Sequence, residues 1–157
     1  MTMDQTKSTA YWFLDTHVQV RISGDENADG ISVLEHHAYY GDSPPLHIHH
    51  TEDEVFIVLE GEFRFVIGDS EHRLQPGETL LAPKGVPHAY RVESPQGGKW
   101  LTVTTGHDFE NFVKAVSRPA EGLALPERHG PPSEEFKRQL AAASARYHIE
   151  IVGPPLH

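Results

Sequence analysis

The chain has 157 residues, no cysteine and a formal charge of -10. Its length suits one domain, 1–157, that buries roughly two thirds of its unfolded surface, and the missing cysteine excludes disulfides, thiolate zinc sites and cysteine nucleophiles. The negative charge would repel nucleic acid and anionic membrane, so the expected partner is a small molecule. Met1 to Lys7 carry no apolar core of signal-peptide length, and no later run approaches a membrane span, so a cytoplasmic location is expected.

Residues 1 to 9 are polar and read as loose. The first strand is expected over Tyr11 to Leu14 and then Thr16 to Ile22, which alternate with Val18, Val20 and Ile22 on one face. Ser23 to Gly30 is a turn-rich loop. Ile31 to Tyr40 alternates again, with Leu34, His36, Ala38 and Tyr40 on one side and Ile31, Val33, Glu35, His37 and Tyr39 on the other. Pro44 and Pro45 cannot donate ladder hydrogen bonds and suit the start of a strand that carries His47 and His49.

Those two histidines are two residues apart, so an extended backbone projects both imidazoles from one face. Glu54 opens the apolar run to Glu60, and a short turn through His50 to Asp53 can bring it back to the pair. Gly61 breaks that run so close to Glu62-Phe-Arg-Phe-Val-Ile67 that a tight hairpin is expected. Further short strands are expected at His72 to Leu74, Thr79 to Ala82, His88 to Val92 and Trp100 to Thr105. Short strands punctuated by Gly and Pro at such regular spacing define an all-β sandwich or barrel. Three imidazoles, with His88 as the third, and one carboxylate form a donor set suited to a divalent first-row metal.

Helices are expected only near the end. Asp108 or its neighbour caps a first one, with Phe109, Phe112, Val113 and Val116 at helical spacing. Residues 117 to 132 form a Pro-punctuated linker. Ser133 caps a second helix whose buried stripe is Phe136, Leu140, Ala143 and Tyr147, and His148 to Val152 adds a strand stopped by Gly153-Pro-Pro.

Two stretches, Gly41-x5-His47-x-His49-x4-Glu54-x6-Gly61 and Gly77-x5-Pro83-x-Gly85-x2-His88, resemble the paired motifs of the cupin superfamily. The 15 residues between Gly61 and Gly77 match its compact single-domain form, although Val92 stands where an asparagine is often found. The resemblance implies a conical β-barrel, a double-stranded β-helix jelly roll, over about 11–105, followed by a short helical extension over about 107–157. It makes His47, His49, Glu54 and His88 ligands of one divalent transition metal per chain: iron, manganese, nickel, cobalt, copper or zinc. The whole chain from about Tyr11 to Pro155 also resembles single-domain cupins related to quercetin 2,3-dioxygenase. The Gly106 to Phe112 and Ala145 to Pro155 segments carry that likeness.

In quercetinase-like cupins the glutamate that matches Glu54 is both ligand and base. The implied reaction is dioxygenation of a flavonol or another enolisable aromatic, with dioxygen as co-substrate and Phe56, Val58 and Tyr90 lining the pocket or filling the barrel. Lewis-acid isomerisation, decarboxylation or hydrolysis of a small keto or hydroxy acid, and a non-catalytic small-molecule-binding module, stay open beside it. His36 and His37 are candidate outer donors to the metal site. His50 points to the opposite strand face, and Glu52 and Asp53 are expected to be solvated turn residues. Phe63, Phe65, Trp100, Phe109 and Phe112 are expected in the core. A homodimer is expected because cupins often pair through barrel edges and terminal segments.

Overall fold

The structure, a computed structural model, describes residues 9–157. The polar amino-terminal stretch therefore lies outside the described residues, apart from Thr9. The strands are β1 (Ala10–Phe13), β2 (Thr16–Ile22), β3 (Ser32–Ala38), β4 (Pro45–His49), β5 (Glu54–Glu60), β6 (Phe63–Ile67), β7 (Ser70–Leu74), β8 (Thr79–Ala82), β9 (His88–Val92) and β10 (Gly98–Thr104). Helix α1 (Asp108–Val116), a two-residue β11 (Arg118–Pro119), helix α2 (Glu134–Arg146) and β12 (Ile149–Pro155) complete the chain. Mostly β, in two antiparallel sheets with two short helices, the chain has the jelly-roll architecture that the paired motifs imply. No helix among the described residues is long and apolar enough to cross a membrane.

The larger sheet runs β11-β1-β2-β3-β10-β5-β8 and the smaller β12-β4-β9-β6-β7. Period-two alternation places their inner faces together. From the larger sheet come Ala38, Phe56, Val58 and Trp100, and from the smaller Phe63, Phe65 and Val92, all essentially inaccessible. The larger sheet extends beyond its partner, and α1 covers the excess by setting Val113 against Val18 and Leu34, with Phe13 and Phe109 packed alongside.

The expected hairpin at Gly61 does not form. β5 pairs with β10 and β8, whereas β6 pairs with β7 and β9 in the other sheet, so the chain crosses between sheets at Gly61. Gly61 has φ +85°, and a Cβ there would lie 2.6 Å from the carbonyl oxygen of Gly97, so this turn rests on the turn before β10. A hairpin and a crossover both put Phe56 and Phe63 inside, and alternation alone cannot tell them apart.

Smaller departures have local causes. The register of β2 on β3 shifts between Val20 and Ile22, which turns Ile22 out to 42% exposure. The N-cap of α1 is His107, the neighbour of Asp108, but it makes no side-chain cap bond. Ser133 does cap α2, its Oγ accepting from the Phe136 N–H at 3.1 Å, but Phe136 itself is 41% exposed. β12 is not stopped at Gly153; after a register shift it pairs again with β4 at Pro155. The Pro-punctuated linker contains β11, which adds to β1 at the sheet edge.

Candidate metal centre

Three elements from the two sheets build the site. β4 supplies His47 and His49, β9 supplies His88, which lies directly opposite His47 in the β4–β9 ladder, and the first residue of β5 supplies Glu54 from the facing sheet. One potential ligand atom from each of the four residues lies within 4.8 Å of every other. His49, Glu54 and His88 are each at most 3% exposed.

A backbone carbonyl can only accept, so His47 Nδ1–H donates to Pro45 O at 2.7 Å and a lone pair is left on its Nε2. His88 faces an acceptor on each side, Val86 O 3.2 Å from Nδ1 and Glu54 Oε2 3.1 Å from Nε2. Burial first, and then the neighbouring imidazoles of His88 and His49, push the His47 ring down to about 3, so it is neutral at physiological pH. Burial likewise lowers His49. Burial alone would raise the Glu54 carboxyl, but the imidazoles of His49 and His88 beside it hold it down, and it is ionised.

Glu54 Oε2 lies 3.1 Å from His88 Nε2 and 3.2 Å from His49 Nε2. Neither nitrogen of His49 makes a hydrogen bond, although both are buried. Converging lone pairs and a carboxylate repel one another unless a cation lies among them, and orphaned buried nitrogens are costly. The donor set therefore fits a divalent metal, with N and O ligands of the type that first-row ions accept.

The centre opens on a cavity of about 1120 Å³. Rings pack around the ligands: Phe109 contacts His49 at 5.5 Å between centroids, Phe56 contacts His88 at 6.0 Å, and Tyr90 contacts Phe56 at 6.0 Å. Phe56 and Tyr90 line the cavity, whereas Val58 is wholly buried in the core cluster and is not part of the wall. His36 also lines it, stacked on Trp100 at 4.8 Å with Nε2 2.9 Å from Thr102 Oγ1. His37 is half-buried on the other face of β3, opposite His17, and touches none of the four ligands. His50 is exposed, 3.6 Å from Glu150. Asp53 is exposed, and its Oδ1 accepts from the Lys84 N–H.

Glu52 corrects the expectation of a solvated turn carboxylate. It is 2% exposed, and its Oε1 accepts from the N–H groups of Asp108 at 2.6 Å and Phe109 at 3.1 Å. It thereby caps α1 from 56 residues upstream and holds Phe109 against His49. Sequence reasoning also missed Asp42 on the cavity wall, pushed up to about 7 by burial and Asp15 against the opposing pull of Arg128. No local pattern marks it. The amphipathic stripes of α1 and α2 do signal wall residues such as Phe112 and Leu140, which face the cavity.

The family model for the cupin domain matches residues 36–104, the span from β3 to β10 that carries all four clustered residues. Over that span the chain is similar to the cupin superfamily, and it resembles the quercetinase-like cupins. Over 106 residues it is 29% identical to quercetin 2,3-dioxygenase of Bacillus subtilis (strain 168), a match that takes in 67% of this chain but only 30% of that protein. Among solved structures it is similar to KdgF from Halomonas sp., with TM-score 0.53 and 17% identity over 61% of this chain and 84% of that one. A sugar phosphate isomerase of the cupin superfamily from Silicibacter pomeroyi gives TM-score 0.53 and 19% identity over 67% and 74%. These two likenesses show the fold.

Proposed function

We propose that the chain is a metal-dependent dioxygenase acting on a small enolisable aromatic of the flavonol type, with His47, His49, Glu54 and His88 holding one divalent transition metal. The carrying observation is the aromatic shell at the ligand cluster, with Phe109 on His49, Phe56 on His88 and Tyr90 behind Phe56. The partial likeness to quercetin 2,3-dioxygenase supports the same reading. A metal in this site would act as a Lewis acid on a substrate hydroxyl and, if redox-active, as a channel for electrons to dioxygen.

The protein's own groups supply the rest. Glu54 is ionised, its Oε2 is engaged by the imidazoles, and Oε1 has no hydrogen-bond partner among the described residues. Oε1 is therefore the atom that takes the proton from an enolic hydroxyl. Phe56 and Tyr90 hold a flat ring system beside the cluster and keep water from it. Oxygen-electrode assays with quercetin on protein reconstituted separately with iron, manganese, nickel, cobalt and copper, beside His47→Ala, test the proposal. Metal-dependent oxygen consumption absent from His47→Ala is expected. No consumption with any of these metals, together with anaerobic turnover of a keto or hydroxy acid, would transfer the assignment to Lewis-acid chemistry.

A further inference from the structure

One wall of the cavity carries polar groups that the metal centre does not use. His36, Trp100 and Tyr90 sit side by side there, His36 stacked on Trp100 with centroids 4.8 Å apart and planes 7° from parallel, and Tyr90 edge-on to Trp100 at 5.0 Å. Phe109 stacks against His36 at 6.0 Å, so the imidazole is held by aromatic rings and by Thr102. Its Nε2 is taken by Thr102 Oγ1, while Nδ1 has no hydrogen-bond partner among the described residues. The Tyr90 hydroxyl has none either, and the Trp100 Nε1–H is buried without one. Only the Trp100 Nε1–H is shut off from the cavity; the Tyr90 hydroxyl and His36 Nδ1 sit side by side on its wall with no protein partner, free to meet a ligand.

We propose that His36 and Tyr90 form a second recognition point that hydrogen-bonds peripheral hydroxyls of the aromatic substrate, and so select polyhydroxylated ring systems over bare ones. The inference rests on the flavonol reading above and names the part of the substrate that the metal does not touch. The Tyr90 hydroxyl can donate, and His36, kept neutral by burial, can donate or accept according to the tautomer that Thr102 selects. Sites built to hydrogen-bond a hydroxyl reject the analogue that lacks it, because their own groups are then left unpaired.

The test is anaerobic fluorescence titration of the metal-loaded protein with quercetin and with 3-hydroxyflavone, which keeps the metal-chelating oxygens but lacks the outer hydroxyls. The readout is the ratio of the two dissociation constants in wild type, Tyr90→Phe and His36→Phe. Quercetin should bind at least about tenfold tighter in wild type, and the ratio should fall at least about fivefold in each variant. Tyr90→Phe removes one oxygen atom and stands alone if His36→Phe does not fold. A wild-type ratio near one, or one that survives Tyr90→Phe, overturns this second contact while leaving the flavonol reading in place. Failure of both flavonols to bind wild type overturns both.

Discussion

Glu54 Oε2 lies 3.1 Å from His88 Nε2, although β5 and β9 belong to different sheets. The contact closes the barrel at the ligand cluster, and each partner matters more for what it binds than for the ladder it sits in. His88→Ala removes one nitrogen from the donor set and leaves the hydrogen bonds of β9 to β6 in place. Metal content by elemental analysis should fall from one ion per chain to under about a tenth, since losing even an outer-shell partner typically costs roughly 10–100-fold in metal affinity. Far-ultraviolet circular dichroism should be unchanged. Full metal content in the variant would remove His88 from the ligand set.

Glu52 ties the site to α1. Its carboxylate is buried and accepts two backbone N–H bonds at the start of that helix. Glu52→Ala leaves those donors without partners and should cost about 1–3 kcal/mol in urea unfolding. Because Phe109 follows Asp108 and packs on His49, metal affinity should weaken as well, which titration of the variant would detect.

Glu110 gives the fold an acid limit. Burial would raise this carboxyl, but Lys114 Nζ and Ser23 Oγ, each at 2.6 Å, and the Gly24 N–H at 2.9 Å hold it down to about 2. A depressed folded-state pKa contributes stability that is full above the unfolded value of 4.5 and is lost as pH falls from there toward about 2. Glu110→Gln should lower stability at pH 7 by about 2 kcal/mol and flatten that part of the acid limb, read from unfolding midpoints between pH 2 and pH 7. An unaltered limb would show that Glu110 does not set it.

Gly61 joins the two sheets at φ +85°, with the Gly97 carbonyl 2.6 Å from where a Cβ would stand. Gly61→Ala combines left-handed strain with a backbone clash and should destabilise by about 2–3 kcal/mol. Gly77→Ala is the control, because φ there is +88° but nothing lies within 4 Å. It should cost about 1 kcal/mol. Equal losses at both positions would mean that the contact with Gly97 contributes nothing.

Much of this was legible in the chain itself. Sequence pattern determined that His47 and His49 share a face, that Leu34, His36 and Ala38 share one, and that Thr79–Ala82 and His88–Val92 are strands. These are local properties, set by the period of an extended backbone and by glycine and proline at its turns. Tertiary structure alone decided which sheet each strand joined. A face is encoded locally, but a neighbour is chosen by which edges remain unpaired, and at Gly61 the edges of β5 were taken by β10 and β8. The same holds for the cavity. Glu52 became a buried cap because its donors arrive at Asp108 and Phe109, Val58 sank into the core while Tyr90 reached the wall, and His36 met Thr102 across 66 residues. Each outcome depends on partners distant in sequence, and period and composition carry no record of them.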